Sequence, residues 1–76
     1  MDAAAFLRAF EDTRPITFGE ELRPGEVRLS VIEVSSVTRV AIKETTIPRV
    51  QSFVEVLGGH VCWNQDLVSV ILPPPK

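Results

Sequence analysis

His60, Cys62 and Trp63 sit within four residues of one another in the stretch "IPRVQSFVEVLGGHVCWN" (residues 47–64), and they are the only histidine, cysteine and tryptophan in the chain. In an extended segment, residues i and i+2 point to the same side. His60 and Cys62 therefore stand side by side, opposite Val61 and Trp63. An imidazole beside a thiol favours the thiolate, and a neutral histidine with a cysteine thiolate makes good zinc ligands. A closed structural zinc site takes four ligands, and Glu55 and Asp66 are the only further carboxylates close by in sequence. Two copies that paired this strand would bring four ligands together, so a metal-bridged dimer through His60 and Cys62 is the one metal arrangement the sequence permits. A nucleophilic Cys–His pair would also want an orienting group, an oxyanion hole and a pocket.

Other chemistry finds less support. Ser30, Ser35, Ser36, Ser52 and Ser69 lie in no nucleophile motif. Gly58-Gly59 closes a helix, whereas a phosphate cradle opens one. Glu20, Glu21 and Glu26 fall in a turn-rich stretch where solvation is the default. The simpler reading makes Cys62 a small thiol and His60 a surface imidazole on the outside of a hairpin. It assigns no catalytic residue, no metal and no cofactor, and the chain is expected not to be an enzyme.

The elements that carry these residues follow from periodicity. Residues 2–11 form a short amphipathic helix, with Asp2 as cap and Ala3, Phe6, Leu7 and Phe10 on one face. Phe6, Leu7 and Phe10 form a candidate docking face, toward the protein's own sheet or a partner. Residues 15–43 supply strands: Ile16–Phe18 as a short edge, then "VRLSVIEV" and "VTRVAIK", either two strands around Ser35–Ser36, the only candidate turn between them, or one bent strand. Val27, Leu29 and Val31 alternate with polar residues before the apolar positions slip to Ile32 and Val34, which predicts a bulge or strong twist.

Residues 48–57 form a second helix. Pro48 suits its first turn, Val50, Phe53, Val54 and Leu57 recur at helical spacing, and Gly58 is the left-handed stop. Residues 60–72 form a β-hairpin with Val61, Trp63, Val68 and Val70 turned inward, and residues 73–76 leave as an extended tail. The expected structural core is Val50, Phe53, Val54, Leu57, Gly58, Val61, Trp63, Val68 and Val70.

Glu55-x-Leu57-Gly58-x-x-Val61-x-Trp63, preceded by Ile47-Pro48 and followed by Val70, resembles the small domain named after the N-terminal region of copper amine oxidases. The resemblance covers residues ~45–72. It implies an antiparallel sheet curled around the helix, with a structural, stalk-like or binding role. It implies no copper chemistry, which would need a histidine cluster and a tyrosine-derived cofactor; this chain has one histidine and no tyrosine.

Length and composition set the frame. The 76 residues make a single domain, 45% hydrophobic, and a domain this small buries only about 60% of its unfolded surface. One cysteine cannot form an internal disulfide, which leaves packing and self-association as sources of stability. The net charge is −2 with the basic residues dispersed, which argues against nucleic-acid binding, since that needs clustered cations. No stretch approaches the ~20 apolar residues of a membrane span, so no membrane partner is expected. A native start at Met1 implies a cytoplasmic protein; an excised domain of the resembled family implies an extracellular one.

The expected architecture is α+β, a small antiparallel sheet packed on or curled around one helix, in the order α-β-β-β-α-β-β. The expected function is a non-catalytic interaction or scaffold module. Its partner is a protein, first of all itself, because Leu67, Ile71, Val37 and Ala41 point outward. The alternatives are a small regulatory or inhibitory protein that binds a larger one, or the metal-bridged dimer.

Overall fold

A computed structural model of the chain describes residues 2–17 and 19–74. The architecture is α+β, with helix α1 (Ala3–Arg8), a two-residue strand β1 (Arg14–Pro15), strands β2 (Glu26–Glu33) and β3 (Ser36–Lys43), a single 3-10 turn (Glu44–Thr46), helix α2 (Ile47–Leu57), and strands β4 (His60–Asn64) and β5 (Leu67–Ile71). The expected order of elements is present. Of the expected edge strand Ile16–Phe18, Ile16 lies just past β1, and Phe18 is outside the described residues. So are Pro75 and Lys76 of the expected tail.

The strands form one five-stranded sheet in the order β1-β3-β2-β5-β4. It is a mixed sheet, where a wholly antiparallel one was expected, because β2 and β5 lie side by side in parallel at its centre. Each belongs to a tight antiparallel hairpin, β2 with β3 and β4 with β5. The hairpins meet through their most apolar strands, which leaves β4 as a full edge.

Both helices cover the same face. Val27, Leu29 and Val31 of β2, Val40 and Ile42 of β3, and Val68 and Val70 of β5 supply the sheet side of the core. Ile47, Val50 and Val54 supply the α2 side, with Phe53, Leu57 and Val61 half-buried against them. Gly58, at φ 84°, ends α2 in the left-handed conformation expected of it, its N–H returning to the Glu55 carbonyl.

Helix α1 is shorter than the 2–11 range expected for it, but its apolar face lands where a core needs it. Phe6 and Phe10 are buried. Their ring centroids lie 5.4 Å from each other and 5.4 and 5.9 Å from that of Phe53, at tilted and edge-on angles, the geometry aromatic quadrupoles favour. Leu7 packs half-buried beside them. Of the two alternatives for this face, the protein's own sheet or a partner, the helix takes the first and docks on its own chain. Polar straps fix both ends of the segment. Asp2 Oδ1 accepts the Ala5 N–H at 2.7 Å, and Glu33 Oε2, from the end of β2, accepts the Ala3 N–H at 2.7 Å. Beyond the helix, Asp12 Oδ2 accepts the Thr46 hydroxyl at 2.7 Å and the Lys43 N–H at 3.2 Å. Burial pushes the Asp12 carboxyl up, but hydrogen bonds led by that of Thr46 outweigh it and leave the group below its ordinary value.

The break in alternation after Val31 has a different cause from the bulge it suggested. Strand β2 pairs with β3 without interruption from Glu26↔Lys43 to Glu33↔Ser36. Ile32 faces the other side of the sheet, and Val34 is a turn residue at φ 54°. The hairpin turns through Val34 and Ser35, one residue earlier than expected. A branched side chain is strained in that conformation.

Trp63 is the clearest departure from the expected core. It is 52% exposed. Its side chain does share the face of Val61, opposite Val68. But β4 is an edge strand, and α2 meets it near His60, where Gly58 and Gly59 pass the chain across. Trp63 lies at the other end, beside the hairpin turn, beyond the helix.

Candidate functional site

Among the described residues, no helix lies over the second face of the sheet. Its side chains form rows fixed by the registers: Val37, Ile32, Ile71 and His60 across one end, Arg39, Ser30, Ser69 and Cys62 across the middle, and Ala41, Arg28, Leu67 and Asn64 across the other end.

The last of these rows is roofed by the segment after β1. Arg14 anchors the roof. Its Nε lies 2.9 Å and its Nη2 2.9 Å from the two Glu26 carboxylate oxygens, and Nη1 donates to Glu20 Oε2 at 2.8 Å. Arg28 Nη1 donates to the Glu20 carbonyl at 3.0 Å. Beneath lies a cavity of about 280 Å³, with Ile16, Thr17 and Leu67 facing Arg28, Ser30 and Arg39. Ala41, expected to point outward into solvent, is fully buried, and Leu67 is half-covered as a wall of this cavity. Both still lie on the outer face, and the roof covers them.

The roof carries a pH dependence. Hydrogen bonds from Arg14 first, then from the Arg23 N–H, hold Glu26 down at about 2 from an ordinary 4.5. Arg14 likewise lowers Glu20, helped by the Thr17 N–H, and is itself raised by both carboxylates. A carboxyl that ionises more readily when folded stabilises the fold above its unfolded value, and that contribution is lost as pH falls through the folded value. The thermal midpoint should therefore drop as pH is lowered from about 4.5 to about 2. Arg14→Ala should flatten that drop, and identical profiles for the two proteins would show that the pair contributes nothing.

The other end of the face is bare. Val37 is 50% and Ile71 41% exposed, with Ile32 half-buried between them. His60 stands at the end of this row, and Cys62 follows on the same side of β4, as the i, i+2 spacing requires. Both are exposed. Among the described residues, no three of His, Cys, Asp and Glu come together in a cluster able to hold a metal ion.

The strand that carries them is the third component of the site. Among the described residues, strand β4 pairs with β5 on one side only. Its sequence, "HVCWN", contains no charged Lys, Arg, Asp or Glu and no proline, the devices that usually blunt an exposed edge. The edge at β3 does have them: β1, with Pro15, covers Val40 and Ala41, and Arg39 and Lys43 punctuate the strand.

The chain matches no family model, curated protein or solved structure. The site therefore has to be read from its own geometry. That geometry combines an uncharged, unpaired strand edge ending in a half-exposed indole with an adjoining apolar strip on an uncovered sheet face. Sequence reasoning found His60, Cys62, Val37 and Ile71. It missed the Arg14–Glu20–Glu26 roof, whose partners are separated in sequence and carry no local signal of pairing. It also missed the openness of the β4 edge, which depends on where the strand falls in the sheet. No helix among the described residues is long and apolar enough to cross a membrane.

Proposed function

We propose that this chain is a non-catalytic interaction or scaffold module that associates with itself. The observation that carries the reading is the β4 edge, an unprotected row of backbone donors and acceptors flanked by exposed Trp63 and Ile71. Such an edge is a template for pairing with another chain, and a half-exposed tryptophan is a common anchor of protein interfaces. The small size of the domain adds to this, because association supplies burial that a core of this size lacks. The stalk-like role implied by the helix–hairpin resemblance is of the same kind. The carboxylates Glu20 and Glu26 are committed to Arg14 as structural partners, in keeping with a non-catalytic role.

Sedimentation velocity across a concentration series, paired with native mass spectrometry without chelator, tests the proposal. The expected result is a metal-free dimer that grows with concentration. A protein that stays monomeric into the high micromolar range would refute self-association and turn attention to a larger protein as partner. A dimer that carries one zinc and is lost in Cys62→Ser would assign the association to the His60/Cys62 metal bridge.

A further inference from the structure

The hydrogen bonds at the centre of the sheet determine which groups β4 offers to its free side. The Arg28 N–H donates to the Asp66 carbonyl and the Leu72 N–H to the Ile32 carbonyl. In a parallel pair this pattern turns the even-numbered residues of β5 toward β2, so Leu67, Ser69 and Ile71 direct their backbone groups toward β4. Their partners are Asn64, Cys62 and His60. The N–H and C=O groups of Val61 and Trp63 therefore point away from the sheet, and among the described residues nothing accepts or donates to them. Gly59 cannot extend this row, because its N–H is already bonded to the Val54 carbonyl at 3.0 Å. Gln65 cannot either, since it is a turn residue at φ 57°.

We propose that a second copy of this chain pairs antiparallel with β4 about a two-fold axis through Cys62, joining two sheets into one. This rests on the reading of the chain as a self-associating module and specifies its contact. The two outward residues are equidistant from Cys62, so a strand turned end for end presents Trp63 opposite Val61 and Val61 opposite Trp63. That register satisfies the outward groups of both residues in both copies. Centring on Val61 calls on Gly59, and centring on Trp63 calls on Gln65, and neither residue can complete the ladder.

The side chains fit the same register. On the helical face each Trp63 indole lies across the partner's Val61, withdrawing roughly 100 Å² per copy from water. On the outer face His60 stands opposite Asn64, so no two like charges meet. The edge is small against the roughly 1,000 Å² of a stable complex, so the dimer exchanges readily and forms in the micromolar range. The two Cys62 residues occupy a pair without mutual backbone bonds, where Cα atoms lie about 4.5 Å apart. That separation is within the range of about 4.4–6.8 Å that a disulfide spans.

Diamide oxidation of the full chain tests this register. The reagent takes up the two electrons and two protons released when two thiols join as a disulfide. Pairing raises the local thiol concentration to the millimolar range, so at about 10 µM protein the dimeric disulfide should form on the order of 100-fold faster than by random encounter. Cys62→Ser should abolish the cross-link yet leave the non-covalent dimer in sedimentation, and Trp63→Lys should slow cross-linking and weaken that dimer together. A dimer whose Cys62 oxidises no faster than a free thiol would overturn the β4 register while leaving self-association standing through another face. A dimer that EDTA dissociates would replace backbone pairing with a shared metal. A monomer at every concentration would overturn both readings.

Discussion

Phe6→Ala is expected to destabilise the domain by about 3–5 kcal/mol. A protein of this length has a total stability of only about 4–11 kcal/mol, so the variant should be largely unfolded or near its midpoint at room temperature. The size of the effect comes from position. Phe6 is wholly buried, touches both Phe10 and Phe53, and joins α1 to α2 over the centre of the sheet. The residues that would have to collapse into the space belong to separate elements, each held by its own straps. The cavity therefore persists, and the loss includes dispersion contacts as well as transfer free energy. Urea unfolding followed by tryptophan fluorescence measures it, with Val56→Ala, at an 87% exposed position on α2, as the matched control. An unchanged midpoint for Phe6→Ala would mean that α1 is not part of the folded core.

Gly59→Ala should cost about 3 kcal/mol, more than Gly58→Ala at the neighbouring position. The order is the informative part, because backbone conformation alone predicts the reverse. Gly58 adopts φ 84°, where an added Cβ is strained, but it meets no atom within 4 Å. Its replacement should cost about 1–2 kcal/mol. Gly59 has no such conformational demand, yet a Cβ there would collide with the carbonyl oxygen of Ile71 and approach Val54 Cγ1 at 3.0 Å. Val54 is buried in α2, and the Ile71 oxygen is main chain in β5, so neither can move aside cheaply. Overpacking of this kind costs about 1–3 kcal/mol or more. Comparing the two denaturation midpoints decides the matter, and equal losses would show that the helix and strand do not approach so closely.

These two glycines mark how far the sequence could be read. Gly58 was legible because a helix with Val50, Val54 and Leu57 on one face must stop, and the stop has a local signature. Gly59 was not, because its constraint comes from Ile71 in another element. The same division runs through the chain. Alternation in β2 and β3 and the 3.6-residue period of α2 gave the elements, since each is a property of neighbouring residues. The placement of β4 at an edge was not legible, and with it went the expectation that Trp63 is buried. Trp63 has the right parity for the core, but parity says which face a side chain takes and not whether a helix reaches it. The Val34 turn was displaced by one residue because a valine at positive φ runs against its own preference, so composition pointed to the serines. Of the candidate site, the adjacency of His60 and Cys62 followed from spacing alone. The open edge beneath them followed from topology, as did the roof that Arg14 holds with Glu20 and Glu26.

The central pairing of β2 with β5 also sets the order in which the molecule can assemble. Strand β2 reaches β3 through a two-residue turn, but its other neighbour is the last strand in the described chain, so Arg28 must wait for Leu67 and Val31 for Val70. Closing so long an intervening loop costs entropy before any contact repays it. Without residues 67–71, Leu29 and Val31 have hydrophobic surface on one side only, and the hairpin of β4 and β5 by itself has nothing to bury against. The parallel pair that joins the two hairpins is thus the strand contact of longest sequence separation in the sheet, and its closure carries the largest entropic cost of any pairing in the fold.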